Sequence, residues 1–168
     1  MEDAQTTERG EKLKRIDSEM GERLVRKVRD ILREKGTAVY SISQDATAYD
    51  ALKLMAEKNI GALVVFDGDR LAGMISVRDY PRKFVLEKLS WETKVKEIMT
   101  TEVLTVTPDM DLDECLELIA DKRMRHLPVV ENDRVVGIIS IGDILKGISD
   151  HKESVIRQLE SYIKGHSV

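Results

Sequence analysis

An internal repeat is the feature that most constrains the fold of this chain. When the sequence is shifted by 64 residues, positions 45–80 align with positions 109–144 without a gap, and 13 of these 36 pairs are identical. Upstream, residues 28–32 match residues 95–99 at a shift of 67, so the intervening loop differs in length by three residues. Such a match indicates two copies of one supersecondary unit. One copy of about 55 residues buries too little surface to be stable alone, so the copies are expected to pack sheet against sheet.

Each copy reads as strand, helix, strand, strand, helix. In the first copy, residues 38–43 alternate in the manner of a short strand, and Thr47 with Asp50 forms a capping box that opens a helix. Two apolar runs around an Asp-Gly-Asp turn then predict a β-hairpin. Ser76 with Asp79 forms a second capping box and opens the last helix. The strands of the second copy are predicted at 103–107, 127–131 and 135–140.

Amphipathic helices flank the duplicated unit and could cover either its core or a second chain. An apolar stripe at helical spacing predicts an N-terminal helix through Leu13, Ile16, Met20, Leu24, Val28 and Ile31. A similar stripe between Val155 and Ile163 predicts a C-terminal helix that ends at Gly165. The resulting divisions are an N-terminal segment and helix (1–23), a first repeat (24–88), a linker (89–94), a second repeat (95–148) and a C-terminal helix (149–168).

Composition and charge argue against several classes of protein. The net charge is −4 and no basic stripe with interleaved aromatics is present, which disfavours a nucleic-acid binder. No apolar run approaches the ~20 residues that span a bilayer. Acidic residues among the first twenty argue against a signal or transit peptide. The single cysteine, Cys115, precludes an intrachain disulfide, so the expectation is a cytoplasmic protein.

No catalytic constellation stands out in the sequence. The three histidines lack the spacing of a metal site. Cys115 falls on an apolar helix face, where cysteine usually serves as a small buried hydrophobe. Gly142 is followed by Asp143 instead of the Lys-Ser/Thr of a phosphate-binding loop. The chain is therefore expected to be no enzyme and to carry no catalytic cofactor or metal.

Two heptapeptides carry a resemblance to a known family. GMISVRD at 73–79 and GIISIGD at 137–143 each combine a glycine, an apolar strand and Ser-x-x-Asp at a helix start. With the strand and helix order and the tandem copy, they resemble the pair of cystathionine-β-synthase (CBS) domains, or Bateman module, over residues 24–148. KLMAEKNIGALVV, RDYPRK and MRHLPVV are similar to small stand-alone bacterial members. The resemblance implies an α+β fold: two β-α-β-β-α CBS repeats with pseudo-two-fold symmetry, plus N- and C-terminal flanking helices.

The resemblance also implies a function. CBS pairs bind adenosine nucleotides in clefts between their repeats, so AMP, ADP, ATP or NAD(H) is the expected ligand. A stand-alone pair would form a homodimer and regulate a separate partner protein through ligand-dependent conformational change. The alternative is a scaffold that has lost its ligand and uses its flanking helices to dimerise or dock. An enzyme that acts on nucleotides is the third hypothesis.

Two aspartates are the ribose ligands that the resemblance implies. Asp79 and Asp143 follow Ser76 and Ser140 by three residues, and an ionised carboxylate accepts hydrogen bonds from both vicinal hydroxyls of a ribose. The helix starts at these serines would offer unpaired N–H groups to phosphate. The alternative interpretation is that each aspartate only caps its helix.

Basic residues before the second strand of the second copy are expected to reach phosphate. In the family, residues at the positions of Arg125 and His126 contact the phosphates of a nucleotide whose ribose lies on the first repeat's aspartate, here Asp79. The matching positions in the first copy are Gly61 and Ala62, which carry no donor side chain, so the two clefts should be chemically unequal.

The remaining site assignments concern a second basic group and the adenine. Arg78 is expected to supply charge to the Asp143 cleft, and Arg82 and Lys83 follow on the same helix, where Pro81 is expected to remove an intrahelical hydrogen bond. Each of these cations could equally be a solvated surface charge. The adenine is expected against the apolar backbone near Ile42, Ala62, Leu63, Val106 and Pro128.

Overall fold

The computed structural model of the chain describes residues 26–122 and 124–165. In chain order its elements are α1 (Val28–Lys35), β1 (Ser41–Ser43), α2 (Ala48–Lys58), β2 (Ala62–Asp67), β3 (Arg70–Ser76), α3 (Asp79–Leu86), α4 (Val95–Ile98), α5 (Leu112–Lys122), β4 (His126–Glu131), β5 (Arg134–Ser140) and α6 (Ile141–Gly165). The predicted apolar stripe from Leu13 to Leu24 lies outside the described residues. No helix within those residues is both long enough and apolar enough to cross a bilayer.

The two hairpins share one register. In the first, β2 pairs antiparallel with β3 and Ala62 lies opposite Ser76. In the second, β4 pairs antiparallel with β5 and His126 lies opposite Ser140. Each hairpin also has a register irregularity at the equivalent position, 64 residues apart. Because a slip of one residue would turn every side chain to the other face, the shared register places equivalent residues on equivalent faces.

The first strand differs between the two repeats. β1 runs parallel to β2 but spans three residues, so it is shorter than the predicted 38–43. The strand predicted at 103–107 is wrong as a regular strand, because in this stretch only Val106 bridges to β4. Its N–H donates to the Pro128 carbonyl at 3.0 Å, and its carbonyl accepts from the Val130 N–H at 2.8 Å. The α+β class with two repeats is nevertheless confirmed.

A single long helix ends the second repeat. α6 runs for 25 residues from Ile141 to Gly165, so the helix predicted after Ser140 and the C-terminal helix predicted from residue 149 are continuous. Gly147 lies within it and does not break it. A Cβ at this glycine would lie 2.8 Å from Leu112, so the residue serves close packing of α5 on α6.

Capping contacts decide where the helices begin. At α2, the Asp50 N–H donates to Thr47 Oγ1 at 3.1 Å and the Thr47 N–H donates back to the Asp50 carboxylate, which confirms the predicted box. α3 begins at Asp79, later than the start predicted directly after Ser76. Pro81 therefore falls in the first turn, where its missing N–H has no intrahelical partner to lose. The expected loss of an intrahelical hydrogen bond therefore does not occur.

Two buried clusters form the core, and each includes the helix that begins the other repeat. The first-repeat cluster contains Ala48, Ala51, Met55, Leu63, Val65, Ile75 and Tyr80, and is completed by Val95 and Ile98 of α4. The second-repeat cluster contains Val106, Leu112, Cys115, Ile119, Leu127, Val129, Ile139 and Ile144, and is completed by Val28, Ile31 and Leu32 of α1. The two repeats thus exchange their first helices, α1 and α4.

A glycine in β3 and another in β5 receive the exchanged segments. A Cβ on Gly137 would lie 2.5 Å from a methyl carbon of Leu32, and a Cβ on Gly73 would lie 2.7 Å from both Met99 Sδ and the Thr100 carbonyl oxygen. Gly73 and Gly137 are equivalent in the 64-residue match, and Leu32 and Met99 are equivalent in the 67-residue match. The duplication therefore extends to the packing of the exchanged segments.

Candidate functional site

Two adjacent clefts lie where the repeats meet. The larger, the Asp79 cleft, measures about 470 Å³ and is lined by Gly61, Ala62, Met74, Ser76, Val77, Arg78, Asp79, Thr100, Lys122, Met124, Arg125, His126, Ser140, Ile141 and Gly142. The smaller, the Asp143 cleft, measures about 320 Å³ and is lined by Lys35, Gly36, Ala38, Tyr40, Ile60, Gly61, Ala62, His126, Ile138, Ser140 and Asp143. Four residues line both clefts, namely Gly61, Ala62, His126 and Ser140.

A serine three residues earlier holds each aspartate at its cleft. The Ser76 N–H and hydroxyl both donate to Asp79 Oδ2, at 2.8 and 3.0 Å. The Ser140 N–H donates to Asp143 Oδ2 at 2.8 Å, and the Asp143 N–H donates to Ser140 Oγ at 3.1 Å. Within the described residues, the hydrogen bonds that reach these carboxylates end on Oδ2. Capping therefore leaves Oδ1 of each aspartate available to a ligand.

Positive charge gathers in the Asp79 cleft. Arg78 comes from the turn before α3, Lys122 from the end of α5 and Arg125 from the segment before β4. Asp79 is the one carboxylate among the lining residues of this cleft. The first turn of α6 adds Gly142, at a position where a helix has backbone N–H groups without intrahelical partners. The cleft can therefore hold a ligand with an anionic end and a hydrogen-bond-donating end.

A lysine from α1 occupies the carboxylate of the Asp143 cleft. Lys35 Nζ donates to Asp143 Oδ2 at 2.7 Å and to the Ile138 carbonyl at 2.9 Å. Burial would raise the pKa of Asp143, but the hydrogen bonds from Lys35 and Ser140 outweigh it and lower the pKa overall. Asp143 is therefore ionised at neutral pH, and its charge is already balanced within the chain.

His126 forms part of the wall between the clefts. A Cβ on Gly61 would lie at an ordinary 3.6 Å from the His126 imidazole, so the ring packs beside this glycine. Burial lowers the pKa of His126, and the charges of Lys35, Arg125 and Arg78 lower it further, although Asp143 opposes them. The imidazole is therefore neutral at pH 7, and it can both donate and accept a hydrogen bond.

The basic residues of α3 differ from their predicted placement. Arg78 lines the Asp79 cleft and is absent from the lining of the Asp143 cleft, because the turn at 77–78 is on the same strand end as Asp79. Arg82 lies exposed on α3 and lines neither cleft. Lys83 Nζ donates to the Ile98 carbonyl and so ties α3 to α4. The predicted cationic supply to the Asp143 cleft comes from Lys35 instead.

Four of the five residues predicted beside the adenine do not line either cleft. Ile42 and Leu63 pack into the first-repeat cluster, and Val106 packs into the second. Pro128 is buried, and its carbonyl accepts from the Val106 N–H. Ala62 does line both clefts, because its side chain lies on the opposite face of β2 from Leu63. The sequence offered no way to choose this face, since four consecutive residues of β2 are buried.

Several lining residues were not predicted. Thr100, Lys122 and Met124 join the Asp79 cleft, and Lys35 and Tyr40 join the Asp143 cleft. Lys35 and Tyr40 lie between the end of α1 and β1, and Thr100 follows α4, so the exchange of α1 and α4 brings these three to the clefts. Lys122 and Met124 lie at and just after the end of α5. The three-residue length difference between the copies was the available signal that these segments differ.

The single thiol of the chain is buried. Burial raises the pKa of the Cys115 thiol to about 11, with a smaller contribution from the charge of Glu114. A thiol of this pKa is protonated at neutral pH and is a poor nucleophile. Within 26–122 and 124–165, no three His, Cys, Asp or Glu side chains are grouped so that they could hold a metal ion.

Known proteins similar to this chain agree with the duplicated architecture. The chain is 36% identical over 148 residues to the CBS domain-containing protein CBSX3, mitochondrial, of Arabidopsis thaliana, and this match covers 82% of the chain and 72% of that protein. A structure of a Burkholderia ambifaria protein with CBS domains is 47% identical with a TM-score of 0.71, and the match covers 73% of this chain and 93% of that one.

A third relative was solved with ligands. The CBS domain pair of protein MJ0100, in complex with 5′-methylthioadenosine and S-adenosyl-L-methionine, is 25% identical with a TM-score of 0.61, and the match covers 73% of this chain and 94% of that one. The model of the CBS-domain family matches residues 27–82 and again residues 95–150. The resemblance drawn from the two heptapeptides is thus confirmed. With two matched domains on a duplicated fold, the chain belongs to the CBS-domain family as a tandem pair of CBS repeats.

Proposed function

We propose that this CBS pair is a regulatory module that binds an adenosine-containing ligand in the Asp79 cleft. The observation that carries the proposal is the composition of this cleft. It presents a half-buried carboxylate, held by Ser76, together with the cations Arg78 and Arg125 from different repeats.

Each part of a nucleotide has a counterpart in the cleft. Asp79 Oδ1 can accept from a ribose hydroxyl, and the basic residues with the first turn of α6 can donate to phosphate. Met74, Val77, Met124 and Ile141 offer apolar surface to a purine. The volume of about 470 Å³ falls within the range of roughly 300–1,000 Å³ that is usual for small-molecule sites. The adenosine ligands of protein MJ0100 support the same class.

Among adenosine ligands, the charge favours those with phosphate. Arg78, Lys122 and Arg125 would stabilise AMP, ADP or ATP through charge-assisted hydrogen bonds. NAD(H) carries the same adenosine and a diphosphate, which the same carboxylate and cations could bind. We therefore include NAD(H) in the proposed set.

The proposed output is conformational. A ligand in the Asp79 cleft would touch Asp79 of one repeat and Arg125 of the other, so it would favour the arrangement in which both are in reach. Its effect on the equilibrium is limited to its differential affinity for the two arrangements. A separate partner protein would then recognise the arrangement. The proposed module is regulatory rather than catalytic, and its proposed location is the cytoplasm.

We expect Asp79→Asn to weaken AMP binding by about 10- to 100-fold, because hydrogen bonds to a charged acceptor contribute about 1.5–3 kcal/mol. Isothermal titration calorimetry with AMP, ATP and NADH measures this for wild type and variant. Asp69→Asn, on the exposed turn between β2 and β3, is the matched control and should bind like wild type. If wild-type protein binds none of these nucleotides at micromolar to millimolar concentration, the proposed function is wrong.

Exposed apolar side chains support homodimerisation as part of the same proposal. Val85 and Leu86 on α3 are 73% and 71% exposed, and Ile156 on α6 is 54% exposed. Val85 and Leu86 lie near the end of α3 and Ile156 lies in the C-terminal half of α6, and a second copy could cover either surface. Native mass spectrometry would report a dimer and any co-purified nucleotide at once. A dimer that carries no nucleotide and is not stabilised by any of them would favour the ligand-free scaffold instead.

A further inference from the structure

We propose that Lys35 is an internal counter-ion that closes the Asp143 cleft to ribose, so that each chain takes one adenosine ligand with high affinity, in the Asp79 cleft. This inference rests on the proposed function, because it concerns which of the two clefts is open. It assigns a selectivity role to a residue outside both Ser-x-x-Asp motifs.

The contact itself is anchored at two points. Lys35 Nζ lies 2.7 Å from Asp143 Oδ2 and 2.9 Å from the Ile138 carbonyl oxygen. The side chains are 39% and 26% exposed, so the pair is partly shielded from water and from salt. Lys35 is the last residue of α1, whose Val28, Ile31 and Leu32 pack in the second-repeat core, so a buried helix positions the ammonium group.

The two carboxylates differ in what occupies Oδ2. A carboxylate oxygen offers about two acceptor positions. On Asp143 they are taken by the Ser140 N–H and the Lys35 ammonium, whereas on Asp79 they are taken by the Ser76 N–H and hydroxyl. Oδ1 is free on both aspartates, so the difference matters to a ribose whose two hydroxyls use both carboxylate oxygens. On Asp79 the Ser76 hydroxyl can rotate away from Oδ2 when such a ribose arrives. The ammonium can leave only by giving up its ion pair and its carbonyl bond.

The Asp143 cleft has this ion pair and the Asp79 cleft lacks an equivalent one among the described residues, because the exchanged helices α1 and α4 differ in length. α1 has eight residues and α4 has four, and Lys35 stands on the additional turn of α1. Applying the 67-residue shift to Lys35 leads to Glu102, whose charge has the wrong sign to pair with Asp79. The duplication is therefore broken at the position that decides whether the aspartate is free.

The surrounding charge points the same way. In the Asp143 cleft, Lys35 is neutralised by Asp143 and His126 is neutral at pH 7. The Asp79 cleft keeps Arg78, Lys122 and Arg125 for an anionic ligand. A phosphate-bearing nucleotide is thus drawn to the Asp79 cleft, and a neutral nucleoside is the better probe of the closed one.

Calorimetry with adenosine and with AMP on wild type and Lys35→Met tests the inference through stoichiometry. We expect one site per chain in wild type, and in Lys35→Met a second site that binds adenosine at least tenfold more tightly than any second event in wild type. Lys35→Arg, which keeps a cation, should remain at one site. Lys53→Met, on the exposed face of α2, is the matched control for loss of a surface lysine and should also remain at one site.

Each result bears on the inference separately from the proposed function. Two equal sites in wild type, or a single site in Lys35→Met at saturating adenosine, would overturn it while the proposed function stands. If wild type binds neither probe, the proposed function fails. Binding that appears only in Lys35→Met would then support the role of Lys35, and its absence would refute it. Lys35→Gln provides the same readout if the methionine variant melts at a lower temperature.

Discussion

At the scale of single residues, two glycines carry the contact between the exchanged segments and the repeats. Gly73 is next to Met74, whose N–H and carbonyl exchange hydrogen bonds of 2.9 and 2.8 Å with Thr100. The backbone of Thr100 is thereby drawn so close that a Cβ on Gly73 would lie 2.7 Å from its carbonyl oxygen. A residue with any side chain would push these segments apart.

We expect Gly73→Ala to lower the free energy of unfolding by about 1–3 kcal/mol, the usual range for overpacking a close contact. Urea unfolding followed by circular dichroism measures the change. Gly142→Ala is the matched control, because a Cβ there would meet Ser140 Oγ at an ordinary 3.6 Å and alanine favours the helix. Equal stability of Gly73→Ala and wild type would mean that the approach at Gly73 is not a constraint.

At the scale of elements, α1 is stable only through its packing on the second repeat. A helix of eight residues is marginal by itself, and its buried face of Val28, Ile31 and Leu32 supplies the missing stability. Leu32 fills the space above Gly137. A residue at the start of the first repeat in sequence thus belongs to the core of the second.

We expect Leu32→Ala to destabilise the protein by about 2–5 kcal/mol, since it removes a buried side chain and leaves a cavity over Gly137. Thermal melting and urea unfolding would report the loss. Leu145→Ala, at a position 50% exposed on α6, is the matched control and should lower the stability clearly less than Leu32→Ala. A small effect of Leu32→Ala would contradict the assignment of α1 to the second-repeat core.

At the scale of the whole molecule, the exchange of α1 and α4 makes each core depend on both halves of the chain. Neither repeat keeps its full cluster if the other is removed, because Val95 and Ile98 complete one and Val28 with its neighbours completes the other. Cooperative unfolding of both repeats follows from this arrangement.

We expect two probes, one in each repeat, to report the same urea midpoint. The single tryptophan, Trp91, packs against Phe84 of the first repeat with 4.4 Å between the ring centroids. The single cysteine, Cys115, is buried in the second repeat. Trp91 fluorescence and the alkylation of Cys115 at pH 8 can therefore be followed on the same samples. The thiol, with its pKa raised to about 11, should react only when the second repeat opens. Separate midpoints would show that the repeats unfold independently.

Local features of this protein could be predicted because they depend on neighbouring residues. The hairpins, the capping box at Thr47 and the two serine–aspartate pairs arise from turn and capping chemistry within a few positions. The duplication then identified Asp79 and Asp143 as equivalent. The failures are at 103–107 and beside the adenine, where the outcome depends on what covers a strand rather than on its own residues.

Short-range interactions that both copies share were enough to predict two copies of one α+β unit, a hairpin in each copy and a carboxylate at each helix start. The tertiary fold was needed to exchange α1 and α4, to put Arg78 in the lining of the Asp79 cleft and to bring Lys35 to Asp143 across 108 positions of the chain. The reason is physical: packing of a short amphipathic helix is set by which apolar surface is left uncovered, and that surface exists only once the repeats have folded.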